Sequence, residues 1–216
     1  NLPAHLPTRP EPGTLPALAA GIVQLQQWAE VTRAAGQLIA SIVDTPFFPE
    51  ALRPKLTAAG EEGLARQRAG AIANGTGAVM AGAEIGLSPM QALNNVIVIH
   101  GRPSLYAETM RALVQAAGHK IWTEESTETR AVVCGQRAGS DKVERCEFTM
   151  ARAVKAGYAA KNSKYQTDPI SMLYARATSI ACRRTASEVI KGIAAFEEVQ
   201  DDPAGRLREQ QSGRWK

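Results

Sequence analysis

Positions 86 to 110 read GLSPMQALNNVIVIHGRPSLYAETM, and no other stretch restricts the fold as much. Gly86 can close a preceding helix in the left-handed conformation, Ser88 caps the next helix, Pro89 suits its first position and Gln91 completes a capping box. NVIVI and RPSLYA then flank His100 and Gly101, a two-residue connection suited to a tight hairpin. A further helix is expected from about Glu108 to Ala117, stopped by Gly118. Helix, hairpin and helix thus alternate within one short span.

The chain beyond it continues the mixture. HKIWTEE, TRAVVCGQR and ERCEFT have the length and β-rich content of three short strands between polar turns. Thr149 reads as the N-cap of MARAVKAG, with Gly157 as its stop, and the polar segment YAAKNSKYQT reads as a loop. Asp168 and Pro169 make a second cap-plus-proline start, for a helix reaching about Thr185, and Ser187 opens a final short helix to Phe196.

Upstream, five of the 12 prolines fall in the first 16 residues, so residues 1–13 read as an extended arm. From Thr14, a cap, Leu15, Leu18, Ile22, Leu25, Trp28, Leu38 and Ile42 recur at helical intervals to about Val43 and predict a long amphipathic helix. TPFFPEALRP breaks it, and an Ala- and Gly-rich helix follows from about Gly63 to Ile85, its small residues suited to close packing against another helix or a neighbouring subunit. The expected organisation is a helical region over 14–85, an α+β core over 86–196 with a small antiparallel sheet (the hairpin plus three short strands), and a disordered tail over 197–216.

Several chemistries lack their residues. The phosphate loop G-x-x-x-x-G-K-[ST] is missing, and NGTGAVMAG has neither its lysine nor a preceding strand, so nucleotide hydrolysis is not expected. Cys134, Cys146 and Cys182 have no C-x-x-C spacing and read as buried thiols rather than disulfide or zinc ligands. Glu84 and Glu108 fall on different helices without a metal-nuclease signature, and His100 reads as a turn residue. No catalytic residue, metal or cofactor is expected. No apolar run approaches the roughly 20 residues of a membrane span, the opening lacks a signal-peptide core, and the expected location is cytoplasmic.

The charge is informative because it is uneven. Residues 151–191 carry eight basic side chains against two acidic ones, while the rest has 17 against 19, so the net charge of +4 belongs to one segment. That placement suits a polyanion-binding surface, with a solvated charged face as the plain alternative. Within the segment, Arg176 and Arg183 are seven residues apart on the expected 170–185 helix. They fall within about 20° of each other and about 10.5 Å apart along the axis, a spacing that lets two guanidinium groups engage different phosphates of one strand. Leu173, Ala177, Ile180 and Ala181 form the adjoining core face. Arg184 points nearer that face, to snorkel or to form an internal ion pair. Lys155 precedes the loop that feeds the helix, where Tyr158 and Tyr165 interleave with Lys161, Asn162 and Lys164. Cations for the backbone beside aromatic faces for bases are the parts of a single-strand groove, although Tyr165 equally suits a hydrophobic staple.

These residues carry a resemblance. Tyr165, Pro169, Met172, Leu173, Arg176, Ala177 and Arg183 resemble the DNA-binding helix of the phage single-strand annealing proteins, the RecT and lambda Red beta group, and GLSPMQAL…VIVIHGRPSLYAETMRALVQAAGHKI is similar to the segment before the core sheet in RecT-like recombinases. The resemblance covers about positions 84–192. It implies an ATP-independent protein that coats single-stranded DNA as a homo-oligomer, ring or filament, and pairs complementary strands through an annealed duplex intermediate. A partner 5′-3′ exonuclease and a host single-strand-binding protein are implied as well. By the same likeness Arg176 and Arg183 would contact phosphates and Tyr165 would line the groove. Tyr174 departs from the family's basic residue at that place, with Arg184 as an additional cation. A passive single-strand-binding or phage structural protein, and a metal-dependent DNA-processing enzyme, are the alternatives.

Overall fold

The computed structural model describes residues 15–55, 60–99 and 101–201, with side chains from residue 21 onward. The expected arm over 1–13, the Thr14 cap and residues 202–216 of the expected tail lie outside the described residues.

Helix α1 (Leu15–Ile42) leads through a turn and a short 3-10 segment (Glu50–Leu52) to helix α2 (Glu61–Glu84). Only part of the periodic stripe of α1 faces the core: Ile22, Leu25 and Leu38 are exposed, Ile42 packs half-buried against the core, and Ala35, Ile39 and, just past the helix, Val43 enter it. Among the described side chains of α1, full burial is confined to the last turns, where α2 meets it. Along α2 the buried Ala71, Gly75, Ala78 and Gly82 form one stripe. A Cβ at Gly75 would collide with Phe48 and Ile39, and one at Gly82 with Ala92, so these glycines set how closely the neighbouring elements approach. The small residues thus serve packing within the chain.

The punctuation after α2 forms as read. Gly86 has φ +82°, Ser88 caps helix α3 (Pro89–Asn95), and both halves of the capping box with Gln91 are made. Strand β1 (Val96–Ile99) pairs antiparallel with β2 (Arg102–Leu105), Ile99 opposite Arg102, which leaves a two-residue connection. Helix α4 (Ala107–Ala116) follows, then β3 (Lys120–Ser126), β4 (Arg130–Gln136) and β5 (Val143–Thr149).

The hairpin and the three strands form separate three-stranded sheets. One is the antiparallel order β3-β4-β5. The other gains a strand the sequence did not suggest: β6 (Ala194–Ala195) lies parallel to β2, with Ser104 opposite Ala194. Two residues of alanine carry no periodicity, so only tertiary contact defines that strand.

Strand β4 is central and buried on both faces. Ala131 and Val133, with their partners Phe148 and Cys146 on β5, join the main core. Val132 and Cys134 face the other way, with Glu147 and Arg145 as cross-strand neighbours in the pairs Arg130–Glu147 and Arg145–Glu124. Cys134, Cys146 and Cys182 are all free and buried.

Thr149 caps helix α5 (Met150–Lys155), accepting from the Arg152 N–H at 3.1 Å. The segment read as a polar loop contains two single-turn helices, α6 (Tyr158–Lys161) and α7 (Lys164–Thr167), because Tyr158 and Tyr165 are drawn into the core. Asp168 then caps helix α8 (Pro169–Ile190), which is broken at Ala186 (φ −153°, ψ 67°) near the expected end. Leu173, Ala177 and Ala181 are fully buried, as the core-face reading requires, and α8 packs on β4, β5 and α4. The last element corrects the sequence reading of the tail: residues Phe196–Asp201 form helix α9, with Val199 and Asp201 buried.

Candidate nucleic-acid interface

Four elements converge on Arg176. The guanidinium group leaves α8 and lies between two rings, 5.1 Å from the Phe148 centroid on β5 and 4.9 Å from that of Tyr158 on α6. Such stacking is favourable for a delocalised cation in a desolvated place. The residue is only 5% exposed, so it does not stand at a solvent-facing edge as the stripe reading expects. Helix α9 covers it.

Helix α9 brings carboxylates to the arginines. Glu198 Oε1 is 3.9 Å from Arg176 Nη1, and Asp201 Oδ2 is 3.8 Å from Arg176 Nε. Arg183, half-buried two turns further along α8, grips Glu198 through both terminal nitrogens, Nη1 at 2.8 Å from Oε1 and Nη2 on Oε2. The Ser179 hydroxyl lies 3.2 Å from the same Oε1. The arginines therefore do share a stripe, and one anion touches both. Asp201 is fully buried; it accepts from the Tyr165 hydroxyl at 2.7 Å and from Asn162 Nδ2 at 3.4 Å.

The electrostatics of the two carboxylates differ. For Asp201, burial is the largest influence and raises its pKa above the ordinary range, outweighing the Tyr165 hydrogen bond, Arg176 and Asn162. Burial also pushes Glu198 upward, but the Arg183 fork, with Arg176 and Ser179, prevails and holds it below the ordinary range. Tyr165 is raised by burial and by the adjacent Asp201 carboxylate, so its hydroxyl remains a donor. Arg176 keeps an unmet demand: its Nε and Nη1 are buried without a hydrogen-bond partner, since both carboxylates lie beyond bonding distance.

The remaining candidates distribute around this centre. Lys155, Lys161 and Lys164 are exposed, at the ends of α5 and α6 and the start of α7. Lys164 also lines a cavity of about 260 Å³ with Tyr106, Tyr174, Phe196 and Glu197. Arg184 is exposed and enters no buried ion pair, and its charge acts on Glu144 and the Cys146 thiol of β5. The cation beside Tyr174 comes from another element, since Arg111 of α4 donates to the Tyr174 hydroxyl.

Sequence reading grouped Arg176, Arg183, Tyr165, Asn162 and Tyr158, and the structure brings these five into one neighbourhood. It did not find Phe148, Ser179, Glu198 or Asp201. The block EEVQDD was a usable signal, an acidic run directly after a segment of strongly positive balance. Among the described residues no group of three His, Cys, Asp or Glu side chains is placed to hold a metal, and no described helix is long and apolar enough to cross a membrane.

Comparison with known proteins identifies no relative: no family model, no curated protein and no solved structure matches the chain.

Proposed function

We propose that the protein binds single-stranded DNA and anneals complementary strands without ATP, as a homo-oligomer of the RecT and Red beta type. The observation that carries this reading is the convergence of Arg176 and Arg183 on a single anion from one rigid helix, within the segment that holds the chain's positive charge. A phosphodiester offers the same acceptor chemistry as the carboxylate that now occupies the fork. Lys155, Lys161 and Lys164 add exposed charges along the approach to that helix, suited to tracking a sugar-phosphate backbone while the base edges stay free. Pairing free energy then drives the reaction, so no catalytic acid, base or metal takes part.

Assembly needs a surface other than the α2 stripe, which is used within the chain. Among the exposed apolar residues, Ile22, Val23, Leu25 and Val31 of α1 are the ones assigned to a neighbouring copy in this proposal.

The test follows two labelled complementary strands by fluorescence quenching, with no nucleotide and with or without magnesium. Acceleration in both conditions is expected. Slowed annealing would mark a passive binder, and magnesium-dependent shortening of a labelled strand a processing enzyme. Absence of binding to oligonucleotides at low salt overturns the proposal.

A further inference from the structure

We infer that α9 is a detachable acidic plug: Glu198 and Asp201 occupy the Arg176–Ser179–Arg183 face as stand-ins for phosphates, and a DNA strand must displace the helix to use that face. The inference rests on the function proposed above and adds an internal competitor to it.

The contacts of α9 are mostly electrostatic. Of its six residues, Phe196 and Val199 are the apolar ones, Phe196 lying against Tyr106 with ring centroids 5.2 Å apart. The others are Glu197, Glu198, Gln200 and Asp201, and the latter three contact the candidate binding residues Arg183, Asn162 and Tyr165. A helix held only to complete a core would not present carboxylates to the cations of a basic segment. It would also not leave Arg176 unsatisfied. That guanidinium is buried with Nε and Nη1 unbonded, and the nearest oxygens are at 3.8 and 3.9 Å, so the carboxylates fill the place without meeting its geometry. A phosphodiester also presents two anionic oxygens, and on an incoming strand they are not fixed at 3.8–3.9 Å by the seat of a helix, so they can settle at bonding distance from these atoms.

The exchange avoids an uncompensated charge. Removing α9 alone would strand Arg176 and Arg183 without anions in a low-dielectric place, which is strongly unfavourable. The plug therefore leaves as a strand arrives. The chain permits this locally, because β6 is tied to β2 immediately before Phe196, so α9 can swing away while the sheet stays intact. Glu197 adds to the drive: burial raises its carboxyl above the ordinary range and its Oε2 has no hydrogen-bond partner, so α9 gains solvation when it leaves.

The experiment compares oligothymidylate binding by fluorescence anisotropy for the full chain, Glu198→Gln and the control Glu188→Gln. The control removes one negative charge from the exposed side of α8, where Glu188 pairs with Arg137. Glu198→Gln is expected to bind about tenfold tighter or more, because the competent fraction rises, and the control by much less. Equal tightening in both variants, or none in Glu198→Gln while the unaltered chain binds, overturns the plug. Amide exchange on the unaltered chain is independent of that variant's folding: saturating oligothymidylate is expected to raise deuterium uptake over 196–201, and protection there overturns the inference. If no protein binds the oligonucleotide at all, the proposed function fails first, and the plug with it.

Discussion

Arg176 ties a buried charge directly to stability. Truncation to alanine leaves Asp201 buried without its cation and empties the slot between Phe148 and Tyr158, so Arg176→Ala is expected to cost about 3 kcal/mol, visible as a lower urea midpoint. The two carboxylates predict opposite pH responses. Glu198 has a depressed folded pKa, so its contribution is complete above its ordinary value of 4.5 and is lost as pH falls through the folded value. Asp201 has a raised folded pKa, so protonation in the fold adds stability as pH falls toward its ordinary 3.8. The melting temperature of the unaltered chain should therefore rise relative to that of Asp201→Asn as pH drops through this weakly acidic range. A difference independent of pH would contradict the assignment.

Among the elements, the contact of β4 with α8 is the tightest to test. A Cβ at Gly135 would run into the Thr185 side chain and Ile121 Cδ1, so Gly135→Ala is expected to destabilise by about 1–3 kcal/mol through overpacking. Adding Thr185→Ala should recover part of that stability, as non-additivity in a double-mutant cycle of denaturation midpoints. The elements also show what the sequence could and could not reveal. Caps are local, and Ser88–Gln91, Thr149 and Asp168 were readable because each needs only neighbours three residues away. Burial is not local. Ile22 and Leu25 have helical spacing and stay exposed because none of the described elements lies over them, while Tyr158 and Tyr165, read within a polar loop, are drawn inside by Arg176 and Asp201. The arginine stripe was visible from spacing alone, but its cover was not, since α9 looks like a polar tail until the charges it meets are known.

For the whole molecule, the proposed function predicts a salt dependence. Replacing Lys155, Lys161 and Lys164 by alanine should reduce the slope of log affinity against log salt by about 0.7 for each phosphate no longer neutralised, alike for all sequences, in titrations of single-stranded oligonucleotides. Assembly through α1 predicts that Leu25→Lys with Val31→Lys lowers the sedimentation coefficient while leaving thermal stability nearly unchanged, because both residues are exposed in the single chain.

The free thiols Cys146 of β5 and Cys182 of α8 sit where sheet and helix meet, while Cys134 of β4 is buried on the sheet's other face. Burial pushes the Cys134 thiol up to about 11 and Cys182 up to about 12, so neither is a nucleophile at neutral pH while the core stays closed. Cys146 and Cys182 make a built-in clock for opening of the core between sheet and helix. An alkylating reagent should modify Cys182 only as fast as the sheet and α8 separate, and the regions before residue 86, which contain no cysteine, are silent to it. If α9 departs without disturbing the sheet, strand binding leaves the clock's rate unchanged; if the whole core must loosen to admit DNA, the rate climbs with DNA concentration.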